Sequence, residues 1–260
     1  MHHKKTFSVS LILLYTCLTS LPADKPNVVL MFIDDMGYGD IGPFGNTVNQ
    51  TPNLDRMAQE GNRLTQYYTS NTACTPSRAA LMTGTYAARI GMDGTVCFPN
   101  EKRGLNPTEL TIGDAMKSVG YRTGIFGKWH LGDQREFLPL QNGFDEYFGI
   151  PYSNDMWPFN LNGHRHTKET YTPLPVLRQN KVVAYVSDGA DQSLLCEVIT
   201  DEAVKFIKKN KDQPFFLYIP HAYVHLPRFG RLDLAKKVEG DIDRATVEEV
   251  DTSVGRILDT

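Results

Sequence analysis

The sequence predicts an α/β domain built on a mainly parallel sheet, and three observations carry that expectation. Residues 27–33 (Asn-Val-Val-Leu-Met-Phe-Ile) form a nearly continuous apolar run that ends in Asp34-Asp35. Such a run is the pattern of a strand buried on both faces. A second run of this kind, Phe-Phe-Leu-Tyr-Ile at 215–219, ends in Pro220-His221. Helical patterns lie between the strand-like segments, and that alternation belongs to parallel sheets with crossover helices. A chain of 260 residues, 41% of them hydrophobic, is long enough to bury a sizeable core.

Taken in order, residues 1–23 read as a signal peptide. His2-His3-Lys4-Lys5 is a short basic lead, 7–21 is a mainly apolar run, and Ala23 or Ser20 precedes a cleavage point. A signal anchor is the alternative, but the run is short and rich in hydroxyls, so no stable membrane span is expected. Cys17 follows Thr16, which makes a poor lipidation box. The domain proper then occupies 24–260. Its first strand opens at Gly37 and Gly39 into a loop at the carboxyl end, where active sites of open α/β sheets form. A helix is predicted at 52–60, starting on Pro52 and stopped by Gly61. A strand at 63–70 leads towards Cys74. A helix at 76–83 has Pro76 at its first position and Gly84 as its left-handed end. Leu110, Ile112, Ala115, Met116 and Val119 give a helix at 109–119, ended by Gly120. A strand at 121–126 runs into Gly127-Lys128-Trp129-His130. The stretch 133–175 is rich in Pro, Asn, Gly and aromatics and reads as long loops shaping a cleft. A helix at 200–209, the strand at 215–219 and a helix at 246–258 complete the pattern.

Formal net charge is −3, with no long basic run after the first few residues, which excludes a nucleic-acid partner. It leaves room for a small anionic ligand, which needs only a local positive pocket. Of four cysteines, Cys17 leaves with the leader, so Cys74, Cys97 and Cys196 remain. An odd number in an exported chain flags one leftover thiol. If that thiol is Cys74, then Cys97 and Cys196 are available to pair. The absence of C-x-x-C argues against a zinc or thioredoxin-type site. Asn49-Gln50-Thr51 is a glycosylation sequon if the source is eukaryotic.

The chemistry concentrates at Cys74. A thiol at the positive end of a short helix, with Arg78 four residues on, makes an oxyanion site. A half-buried structural cysteine beside a surface arginine is the alternative. Asp34 and Asp35 offer hard oxygens suited to Ca²⁺ or Mg²⁺; a plain turn pair is the alternative. Lys128 and His130, two apart, share one side of an extended segment, and histidine is the natural acid or base near neutrality; a surface lysine and a packed histidine are the alternative. His221 and His225 have the i, i+4 spacing of a helical zinc pair, yet Pro220 and Pro227 bracket them, so a loop is expected.

The full string at 74–84, Cys-Thr-Pro-Ser-Arg-Ala-Ala-Leu-Met-Thr-Gly, resembles the signature of the type I, formylglycine-dependent sulfatases. Further blocks match it: 26–29 through Asp34-Asp35-Met36-Gly37-Tyr38-Gly39-Asp40, Thr51-Pro52-Asn53-Leu54-Asp55, 120–132, Gly143-Phe144-Asp145, and 214–227. The chain is most similar to the arylsulfatase A and N-acetylgalactosamine-6-sulfatase branch. The resemblance implies an alkaline-phosphatase-like fold, a mainly parallel sheet flanked by helices. It implies that Cys74 is oxidised to formylglycine by dedicated machinery, and that Asp34, Asp35 and the modified Cys74 hold Ca²⁺, with Mg²⁺ possible. It implies that Arg78 and Lys128 steady the formylglycine diol and the sulfate, and that His130 takes the proton from the diol's second hydroxyl. His225 would contact the sulfate or protonate the leaving oxygen, and His221 has no implied role. The implied substrate is a sulfate monoester, an aryl sulfate or a sulfated sugar or glycan, met outside the cytoplasm: periplasmic or secreted, or lysosomal in a eukaryote. A diol suits this task because its second hydroxyl lets sulfate leave by C–O cleavage, whereas a serine would be left as a stable ester.

Members of this family are longer and carry a later Asp-Asn pair, a further lysine and a small C-terminal subdomain. Residues 24–260 are therefore expected to be the N-terminal portion of the catalytic domain, truncated before that subdomain. Asn154-Asp155 has the reverse order and lies in the loop region. Two other readings stand beside the sulfatase: a phosphonate or phosphate ester hydrolase of the same superfamily, and an inactive relic or anion-binding protein.

Overall fold

The apolar run after Asn27 forms β1 (Val28–Phe32), as its composition requires, and delivers Asp34 to the carboxyl end of the sheet. This computed structural model describes residues 25–159 and 171–260, so the expected leader at 1–23 lies outside the described residues. The elements that follow are α1 (Pro52–Glu60), α2 (Cys74–Thr83), α3 (Ile112–Ser118), β2 (Arg122–Lys128) and β3 (Glu146–Ile150). Then come β4 (Leu174–Arg178), β5 (Lys181–Val186), α4 (Gly189–Ser193), α5 (Leu195–Asn210), β6 (Phe215–Pro220), α6 (Leu232–Lys237) and α7 (Ile242–Leu258).

Among the described residues the strands form one sheet in the order β1-β6-β2-β3-β4-β5. The β1, β6, β2 and β3 pairings are parallel, and β4 and β5 add an antiparallel margin. Mainly parallel is therefore the right description. Alternation along β6 divides the core: Phe215, Leu217 and Ile219 pack with Ile199, Ala203 and Phe206 of α5, while Phe216 and Tyr218 face Ala79 and Met82 of α2. Where β2 meets β3, Gly127 pairs with Gly149, both at positive φ. A Cβ on Gly149 would lie 1.9 Å from the Gly127 carbonyl oxygen, so the backbones approach this closely only as glycines.

Several boundaries move. The helix expected at 109–119 starts at Ile112, where Thr111 and Asp114 form a capping box. The helices expected at 200–209 and 246–258 begin earlier, as α5 at Leu195 and α7 at Ile242, the latter capped by Asp241. The strand expected at 63–70 does not form. That segment is exposed throughout, and its Tyr67 amide donates to the Tyr38 hydroxyl rather than to a neighbouring strand. Strand propensity without a partner does not make a strand. The stretch 133–175 is not all loop, since it contains β3 and the start of β4. Cys97 and Cys196 do not pair: both are buried free thiols, held in separate core clusters. Among the described residues no helix is long and apolar enough to cross a membrane.

Candidate active site

The loop before α2 turns helical at Cys74 itself, two residues earlier than predicted, with extended Ala73 as its cap. Pro76 therefore sits third in the helix, still within the first turn where its missing N–H costs nothing. Gly84 ends the helix at φ 64°, as its position in the sequence implies. Cys74 is thus placed in the positive first turn of a ten-residue helix. Its Sγ lies 3.7 and 3.8 Å from the two carboxylate oxygens of Asp34, and 3.6 Å from Lys128 Nζ.

Behind the thiol is a buried ionic cluster. Asp34 Oδ2 accepts from Lys128 Nζ at 2.5 Å and from Arg78 Nη2 at 3.1 Å. Arg78 Nη1 donates to the Lys128 carbonyl at 2.9 Å, and its guanidinium lies over the Phe32 ring. Lys128 Nζ also donates to Ser153 Oγ at 2.8 Å. Exposures of 0% for Lys128, 1% for Arg78 and 7% for Asp34 leave these groups little water. Burial works against the Asp34 charge, but Lys128 and Arg78 outweigh it and hold the carboxyl well below its ordinary range. Burial likewise opposes the Arg78 charge, and Asp34 more than restores it. Two cations against one carboxylate leave the cluster net positive beside Cys74.

The two candidate histidines are tuned apart. His130 leaves the extended path with φ 59°, so the expected alternation with Lys128 is not what positions it. Its Nε2 lies 3.1 Å from the Cys97 carbonyl, which can only accept, so Nε2 carries the proton. Nδ1 is then a bare lone pair, buried and without a hydrogen-bond partner among the described residues. Burial, reinforced by Lys128 and Arg78, pushes this imidazole well below its ordinary value and keeps it neutral. His225 moves the other way. Burial opposes its charge, but the hydrogen bond to Cys74 and the Asp34 and Asp155 carboxylates raise its pKa. His221 is fully buried, with Nε2 3.1 Å from Ser253 Oγ, and burial lowers it to about 4. It packs behind the site on no helix, which removes the zinc pairing with His225.

Asp34 and Asp35 border a cavity of about 190 Å³ that Cys74, Arg78 and Asn71 also line. The Asp35 side chain is 59% exposed, 3.8 Å from His225 Nε2. Among the described residues, no group of three or more His, Cys, Asp or Glu side chains is arranged to hold a metal. Asp34, Asp35 and Cys74 all border that one cavity, as the partial set that a chain without the later Asp-Asn pair would offer. The two carboxylates fit one side of a hard cation's shell, which takes six to eight oxygens for calcium. Sequence reasoning missed Ser153. It lies in a stretch read as loop, and nothing local marks it; only the fold brings it to Lys128.

The family model for sulfatases matches residues 26–260. Arylsulfatase A of Homo sapiens is 35% identical over 251 residues, covering 91% of this chain and 48% of that protein. N-acetylgalactosamine-6-sulfatase of Mus musculus is 36% identical over 272 residues, covering 97% and 51%. Among solved structures, the PsFucS1 sulfatase from Pseudoalteromonas sp. superposes with a TM-score of 0.81 at 30% identity, covering 90% of this chain and 51% of that one. The chain thus spans about half the length of the relatives it matches, and shares their alkaline-phosphatase-like arrangement over that span. The matched span contains Asp34, Cys74, Arg78, Lys128 and His225, and the chain belongs to the sulfatase family.

Proposed function

We propose that this chain carries the nucleophile side of a hydrolase for sulfate monoesters, either aryl sulfates or sulfated sugars. The observation that carries the reading is Cys74 in the first turn of α2, touching Asp34 and Lys128 with Arg78 behind them. Oxidised to formylglycine by a partner enzyme and hydrated, Cys74 would supply a nucleophilic hydroxyl. A Ca²⁺ held in part by Asp34 and Asp35 would, when bound, favour the ionised hydroxyl and offset sulfate charge. The chain's own residues do the rest. The α2 N-terminus and Lys128 attract the sulfate oxygens. Asp34 holds Lys128 and Arg78 in place without cancelling both charges, and Ser153 fixes the Lys128 ammonium from the other side. His225, raised towards its charged form, is suited to donate a proton to the leaving oxygen, whereas His130 offers a free Nδ1 lone pair but is made a weak base by its burial beside Lys128 and Arg78. Such a substrate fits export from the cytoplasm, which the leader expected at 1–23 would direct.

The test is turnover by the chain co-expressed with a formylglycine-generating enzyme, after peptide mass has confirmed that Cys74 is oxidised. Aryl sulfate should be cleaved faster than an aryl phosphate diester. Lys128→Ala should lower kcat by about 10²–10³, the usual loss for one fixed charge donor. Sulfate release that persists in Cys74→Ala overturns the reading, and a preference for the phosphate diester moves the chain to phosphoester chemistry.

A further inference from the structure

His225 sits on the segment that links β6 to α6, and that segment is held at defined points. The Val224 amide donates to the Asp34 carbonyl at 2.7 Å, and the Asp34 amide donates to the Tyr223 carbonyl at 3.1 Å. The Tyr223 hydroxyl shares its one proton between the Gln192 carbonyl on α4 at 2.6 Å and the Phe229 carbonyl within the segment at 2.8 Å. At its far end the Arg231 amide donates to Glu249 Oε2 on α7 at 3.2 Å. Glu249 is only 3% exposed, and its other oxygen, Oε1, has no hydrogen-bond partner among the described residues. Both lie beside a cavity of about 170 Å³ between α5, α6 and α7.

We propose that Glu249 is a positioning residue for His225, and that its protonation state sets how firmly the 223–231 segment is held. The surroundings say which state binds better. From α5, Glu197 and the Cys196 thiol face the carboxyl, and the thiol donates to the Glu249 carbonyl. From the start of α6 come Arg231 and Asp233, and from the segment itself Tyr223. Arg256, on the same helix, lines the cavity but pairs with Asp201. Arg231 is the cation that acts on the carboxyl, and its guanidinium is already shared between Glu197 at 3.1 Å and Asp233 at 3.0 Å. An ionised Glu249 would therefore place a buried charge next to two carboxylates with one oxygen unsatisfied. A protonated Glu249 keeps an oxygen for the Arg231 amide and buries no charge. Burial, only partly offset by Arg231, accordingly lifts this carboxyl from 4.5 to about 7.

The sign follows. Between 4.5 and about 7 the closed segment binds more protons than an open one, so closure weakens as pH rises through that window and levels off above it. The role of His225 rests on the sulfatase reading, but the test does not. Hydrogen exchange of the 223–231 amides is measured from pH 5 to 8 on the chain and on Glu249→Gln, corrected for intrinsic rates. Protection in the wild type should fall on the order of tenfold or more between pH 5 and 7 and then flatten, since each unit of displaced pKa is a factor of ten. Glu249→Gln keeps the acceptor and loses the charge, so its protection should lose the Glu249 part of the fall and keep only the pH response of His225 on the same segment. Should the amide variant fold poorly, a carbon-13 titration of the Glu249 carboxyl in the unmutated chain decides. An apparent pKa near 7 supports the proposal. A value near 4.5, or equal pH dependence in the two proteins, overturns it. Absence of sulfate release by the unmutated chain, with the exchange pattern intact, would count against the sulfatase reading alone.

Discussion

At the scale of single residues, the buried cluster is defined by an imbalance of charge. Asp34 is the carboxylate that neutralises one of two interior cations, Arg78 and Lys128. Removing it should therefore cost more than removing either cation. Asp34→Asn leaves two buried positive charges facing each other, a loss of about 3–5 kcal/mol, whereas Lys128→Met leaves the Asp34–Arg78 pair intact and should cost less. Urea denaturation of the two variants gives the order; an equal or reversed ranking would mean that the pair, not the triad, is the unit. Acid has a matching effect. The Asp34 carboxyl is held below its ordinary 3.8, so its contribution is fully present above that value and is lost as pH falls further. Glu249, with a raised value, acts in the opposite direction over a higher window.

Individual elements are finished by residues far away in sequence. The α1 cap position, Thr51, makes no capping hydrogen bond to its own helix; its hydroxyl instead accepts from the Gly42 amide. The first turn of α1 is capped by Asp251 of α7, which accepts from the Asn53 amide at 3.2 Å, the Leu54 amide at 2.8 Å and Asn53 Nδ2 at 2.8 Å. Asp251→Ala should then destabilise by about 1–2 kcal/mol, the range of a lost helix cap. Thermal unfolding of this variant beside Thr51→Ala would show which residue caps the helix in practice. At the end of α2 the requirement is local. Gly84 is left-handed with open space around an added Cβ, so Gly84→Ala should cost only the conformational penalty, about 1 kcal/mol. A much larger loss would mean that the Cys74 helix depends on that turn for more than its ending.

For the molecule as a whole, the sheet has an open side at β1. In a parallel sheet such an apolar strand is normally covered on both faces, yet no residue of β1 is fully buried and Val29 is exposed. Its outer edge is unpaired among the described residues, since β1 pairs only with β6. The exposed tyrosines Tyr67, Tyr68 and Tyr86 line a groove of about 440 Å³ that also reaches Phe32 at the end of β1. Free apolar edges template association. Concentration-dependent light scattering should show self-association of this chain, and Val29→Lys should reduce it. If the wild type scatters as a monomer at every concentration reached, the edge is not adhesive.

The sequence alone determined the apolar strands that bring Asp34 and Lys128 to one end of the sheet, and the Cys74 helix with its glycine end. These are signals of composition and turn chemistry that act within a few residues. The family resemblance then named Cys74, Arg78, Lys128, His130 and His225 together. The tertiary structure decided what depends on contact. It bonded Ser153 to Lys128, gave His130 its bare Nδ1, separated Cys97 from Cys196, and set Glu249 beneath the His225 segment. It also withheld a strand from 63–70 despite favourable residues, because a strand exists only with a partner to bond. Burial and pairing across long sequence separations set charge, pKa and register, and no local pattern encodes them.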